Sequence, residues 1–178
     1  MELSYVKIFS FTLVVLRKVN ERIWVMKKLF LSFLLLFVFR YCEAQQLVIM
    51  FYPSFHHYGK SLIMCNGDTC TLQFIVIHRK DSSIILLSET QFVPVKYIND
   101  IKKIFEIAKN LTSTEPNCFD GMDISGKFKS NNLHNEFVCY CPFSGLQYDF
   151  ARQSITTMRK ILNNRKLKRY TRALKQYL

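Results

Sequence analysis

Between residues 47 and 92 the apolar positions come in short runs separated by turn residues, a strand pattern. Leu47–Tyr52 is a β-branched and aromatic run that ends at Pro53. Leu62–Cys65 and Cys70–Arg79 flank Asn66-Gly67-Asp68-Thr69 and read as the arms of a hairpin. The second arm is apolar on both faces from Phe74 to Ile77, as a central strand would be. After the turn Lys80-Asp81-Ser82, the segment Ser83–Phe92 gives a fourth strand with Ile84–Leu87 as its buried centre. Beyond Pro94 the period changes. Ile98, Ile101, Ile104, Phe105, Ala108 and Leu111 fall at helical spacing, with Lys96, Lys102, Lys103 and Lys109 mostly on the other side. A helix is predicted over Val95–Leu111.

The polar stretch Thr112–Asn117 ends that helix, and Asp120-Gly121 opens the next strand. Met122, Ile124, Gly126 and Phe128 alternate with Asp123, Ser125, Lys127 and Lys129, one face buried and one wet. Glu136–Cys141 is the partner strand. Ser144-Gly145-Leu146-Gln147 fits a capping box, with Phe143 and Tyr148 at the positions of a hydrophobic staple. The helix it opens carries the stripe Leu146, Phe150, Met158, Ile161 and Leu162, and Asn163-Asn164 breaks it. A last helix runs from Arg165 with Leu167, Tyr170, Leu174 and Tyr177 along one face. The order ββββ-α-ββ-α predicts an α+β fold: a mainly antiparallel sheet of about six strands with two or three helices packed on one face.

One apolar run belongs to neither pattern. Leu29–Phe39 is uncharged, follows Lys27 and Lys28, and is followed by Cys42-Glu43-Ala44. A basic start, a short apolar stretch and a small residue at the cut describe a secretory signal, with Gln45 the first residue of the mature chain. The run is short of the roughly 20 residues a spanning helix needs. It resembles the signal peptides of small exported proteins of Gram-negative bacteria, and richness in Ile, Lys, Asn and Phe suits a low-GC genome; that resemblance implies a route and not a family. The chain is thus expected to divide into residues 1–25, an extended or mis-assigned start ahead of Met26; residues 26–44, the signal; and residues 45–178, one α+β domain with a basic C-terminal helix. The expected location is periplasmic or secreted. The alternatives are a longer signal, or a membrane anchor in which the apolar segments Ile8–Leu16 and Leu29–Phe39 form a hairpin.

Composition supports a folded domain. The 178 residues are 49% hydrophobic and include 16 Phe and 9 Tyr, too apolar for a disordered chain. The formal charge is +12, and residues 45–178 keep 18 basic against 10 acidic groups. Nine of those basic groups fall in the last 27 residues, which hold no acidic one. Arg165, Lys166, Lys168, Arg169 and Arg172 concentrate this charge and form the candidate binding surface. After export its anionic partner would be an envelope component, such as phospholipid head groups or surface polysaccharide, or an acidic protein; nucleic acid belongs to a cytoplasmic protein.

Five cysteines follow the signal: Cys65, Cys70, Cys118, Cys139 and Cys141. Export puts them where disulfides persist, and the odd number leaves one over. If Gly67-Asp68 is the central pair of a type II′ turn, Cys65 lies opposite Cys70 and the two can bond; if Asn66-Gly67 is central, they are diagonal and too far apart. Cys139 and Cys141, on a predicted strand, share one face, and either could reach Cys118. None of the cysteines has the C-x₂-C spacing of a zinc site, whether taken alone or with His56, His57, His78 or His134. No nucleophile elbow, zincin motif or phosphate loop is present, and no cofactor is indicated. Two functional readings remain: a non-enzymatic exported binding module, or a small exported hydrolase or redox protein using Cys139 or Cys141. Accessible, acidified thiols would separate them.

Overall fold

Alternation of apolar and polar residues along the strands decides which face of the sheet is covered. In the computed structural model, residues 44–178 are described except 55, 116–120 and 143. The expected signal and start, Cys118, Asp120 and the staple residue Phe143 lie outside the described residues. The chain divides after Cys42, and the described residues belong to the second unit, Glu43–Leu178. Its elements are β1 (Ala44–Pro53), β2 (Tyr58–Asn66), β3 (Thr69–Ile77), β4 (Ile85–Phe92), α1 (Ile98–Asn110), β5 (Met122–Lys129), β6 (His134–Cys139), α2 (Gly145–Ile161) and α3 (Arg165–Leu174). Short 3₁₀ turns, Val95–Tyr97 and Lys175–Tyr177, precede α1 and follow α3.

The six strands form one antiparallel sheet in the order β4-β3-β2-β1-β5-β6. The fold is therefore α+β, as the element order predicts. Four strands make a meander, and the β5–β6 hairpin joins on the far side of β1. One face carries Leu47, Ile49 and Phe51 of β1 together with Ile63, Leu72, Phe74 and Phe128, all buried in the core. The stripe predicted for α1 is buried in that core too, as are Phe150, Met158, Ile161 and Leu162 of the α2 region.

Helix ends are satisfied across elements. Asn135 on β6 donates from Nδ2 to the Ala108 and Leu111 carbonyls at 2.8 and 3.0 Å, taking up orphan groups at the end of α1. The break at Asn163-Asn164 is real: β4 supplies its partners. Glu89 accepts from the Asn163 and Asn164 N–H groups at 2.8 and 3.1 Å, and Gln91 donates to the Ile161 carbonyl.

Four expectations are corrected. Ser144 makes no side-chain cap bond, so the capping box does not form. Leu146 is exposed at 45% rather than part of the α2 stripe. Ile84, Ile85 and Leu86 are not a buried centre but 46, 57 and 41% exposed, because β4 is an edge strand. Cys141 does not share a strand face with Cys139: β6 ends at Cys139, and Cys141 has φ of 43°, which breaks the extended backbone.

Candidate functional site

α3 positions the five predicted cations. Asn164 caps it, accepting from the Lys166 N–H at 2.8 Å and the Leu167 N–H at 3.4 Å. Leu167, Thr171 and Leu174 are buried, and the Thr171 hydroxyl donates back to the Leu167 carbonyl at 3.1 Å. Tyr170 locks the same face. Its ring packs 6.1 Å from Phe74 and its hydroxyl donates to the His57 carbonyl at 2.5 Å. A Cβ on Gly59 would come within 3.0 Å of that ring, so glycine makes room for it. Burial, with Tyr177 adding to it, pushes the Tyr170 phenol far above its ordinary range, so it stays a donor.

With one face committed to the core, the other carries five cations and Ala173. Arg165, Lys166, Arg169 and Arg172 are exposed and Lys168 is half-buried. At 3.6 residues per turn they fill an arc of roughly 160° opposite the buried stripe. Lys175, which sequence reasoning did not single out, is exposed just beyond them. Among the described residues none of these cations has an ion-pair partner; the ion pairs lie elsewhere, as in Lys102–Asp68 at 2.7 Å and Lys127–Glu136 at 3.0 Å. Arg165 and Lys166 also stand in the first turn of α3, where a helix favours anions.

The cysteines divide by surroundings. Gly67 has φ of 59° and Asp68 does not share it, which is the type II′ alternative. Cys65 faces Cys70 and they form a disulfide, with Cα atoms 4.1 Å apart. Cys141 is disulfide-bonded as well. Cys139 is the free thiol among the described residues; it is buried at 1% exposure, and desolvation pushes its pKa up to about 11. Such a thiol is protonated and enclosed at neutral pH, the reverse of a nucleophile.

Folding gathers a third group that no local motif announces. His57 and His78 have rings 5.0 Å apart, and His56 lies edge-on to Tyr177 at 5.7 Å. The Arg79 N–H donates to His57 Nδ1 at 3.3 Å. These histidines come from different strand ends, so spacing along the chain could not pair them. Among the described residues no three His, Cys, Asp or Glu side chains converge as metal ligands. None of the helices described is long and apolar enough to cross a membrane.

The class defined by this geometry is an α+β domain with a six-stranded antiparallel sheet and an outward cationic helix. No protein-family model matches the chain, and none of the curated proteins matches it.

Proposed function

We propose that the protein is an exported, non-enzymatic module that engages an anionic component of the cell envelope through α3. The observation that carries this reading is the unpaired cationic face of a helix whose other face is locked in the core. Arg165 and Lys166 occupy a helix end where they cost stability, so their charge is better explained by something outside the domain. Export is supported by the basic, apolar and small-residue pattern at residues 27–44 and by the Cys65–Cys70 disulfide, a bond that persists in oxidising compartments. The mode of binding differs from an amphipathic helix lying in a membrane. Leu167 and Leu174 are 0% exposed, so no apolar stripe is left to insert and attraction is by charge alone.

Vesicle co-sedimentation tests the reading. The protein is expected to pellet with vesicles containing phosphatidylglycerol and to stay in solution with phosphatidylcholine alone. Replacing Arg165, Arg169 and Arg172 by Gln should weaken retention about a hundredfold, at about 1 kcal/mol per cation. Salt at a few hundred millimolar should release the native protein. Equal retention of the native and triply substituted proteins would overturn the proposal; retention by acidic polysaccharide but not vesicles would move the partner to that class. No observation favours the cysteine-dependent alternative, since neither Cys139 nor Cys141 presents a thiolate.

A further inference from the structure

The sheet has two edges, and the chain treats them differently. At the end of β6 the outward groups of Val138 and the Tyr140 N–H are taken up by the loop after α1. Ser113 Oγ accepts from the Val138 N–H at 3.0 Å, the Thr114 N–H donates to the Val138 carbonyl at 2.9 Å, and Thr114 Oγ1 accepts from the Tyr140 N–H at 2.9 Å. Glu136 adds charge along that strand. A covered, charged edge does not recruit another strand.

β4 is the bare edge. The Val93 N–H donates to the Cys70 carbonyl at 2.8 Å, which sets the alternation of the ladder. From Leu87 to Val93 the odd-numbered residues bond to β3, so Ser88, Thr90 and Phe92 turn their N–H and C=O groups outward. Among the described residues nothing takes up these groups. β4 holds no Pro, Lys or Arg, and its single charge, Glu89, is turned to the α2–α3 break. What it presents instead is Phe92, 73% exposed, at one end and Ile84 and Ile85, 46 and 57% exposed, at the other. Leu86 is an extra residue in the ladder, since Val76 faces Leu87 and Ile77 faces Ile85, and beyond this bulge the Ile84 carbonyl accepts from the His78 N–H at 2.9 Å.

That edge complements itself. Set two copies antiparallel about a two-fold axis at Ser88. Ser88 then meets its own copy, Thr90 meets Leu86, and Phe92 falls opposite Ile84 with Ile85 diagonal to it, so the large exposed side chains at opposite ends come together. Glu89 falls opposite Leu87. A two-fold at Glu89 would set carboxylate against carboxylate, and one at Thr90 would oppose Leu86 with Pro94. We infer that β4 is the interface of a two-fold homodimer, in which the two sheets continue into one another about Ser88.

Two single substitutions test this on the full chain. Ser88→Cys places one thiol opposite its copy in a hydrogen-bonded pair, where Cα atoms are about 5.5 Å apart and a disulfide fits. Mild oxidation should link Ser88→Cys into a covalent dimer, while Thr90→Cys and the native chain stay unlinked. Phe92→Lys removes no core contact from the monomer, yet should weaken self-association measured by sedimentation about tenfold or more. A native protein that sediments as a monomer at tens of micromolar overturns the inference. So does a dimer that Ser88→Cys fails to link or that Thr90→Cys links as well.

Discussion

A Cβ added to Gly126 would lie 2.1 Å from Cζ of Phe137, the residue opposite it on β6. The Phe137 ring rests on the bare backbone and meets Phe150 of α2 edge-on at 5.2 Å. Gly126→Ala must therefore displace a buried aromatic contact and should lower unfolding free energy by about 2 kcal/mol or more, read from urea titration. The alternation in the sequence placed Gly126 on the inward face but could not show which ring needed its space. Cys139 is the opposite case, a residue whose chemistry is quenched by its place. Its folded pKa, about 11, lies above the ordinary 9.0, so its contribution to stability is intact below pH 9 and is lost as pH rises through 11. A thiol reagent at neutral pH should label it only after unfolding. Rapid labelling of the native protein at neutral pH would contradict the burial.

At the scale of elements, helix ends were the hardest to read. Ser144 and Gln147 have the capping-box spacing, yet Ser144 makes no cap bond; Gly145 after it has φ of 68°, outside the helical range, which spacing along the chain does not show. Asn164 does cap α3, and Glu89 on β4 accepts the two N–H groups at the same break. Asn164→Ala should cost about 1 kcal/mol in thermal or urea unfolding while leaving the cationic face in place. The expected helix over Val95–Leu111 is found, with a 3₁₀ turn in its first residues and α1 proper from Ile98. Of the run Ile84–Leu87 only Leu87 packs on the core, because an apolar run of four looks the same in a covered strand as at an uncovered edge. The strand itself was legible; its neighbours were not.

For the whole molecule, the proposed dimer bears on the proposed binding. β4 meets the start of α3 at the Asn163-Asn164 break, so a dimer formed through β4 would carry two cationic helices on one body. In such a dimer two weak electrostatic contacts would strengthen each other, so Phe92→Lys should also lower retention on anionic vesicles in co-sedimentation. What the sequence determined by itself was local. Periods of two and 3.6 located the strands and helices, the Gly67-Asp68 turn offered the register that joins Cys65 to Cys70, and the run from Arg165 to Arg172 announced a cationic helix. What only the tertiary structure decided was non-local: β1 at the centre of the sheet, β4 bare and β6 covered, His57 beside His78, and the apolar stripe of α3 spent in the core. Those facts depend on contacts between residues far apart in the chain, which local periodicity does not encode.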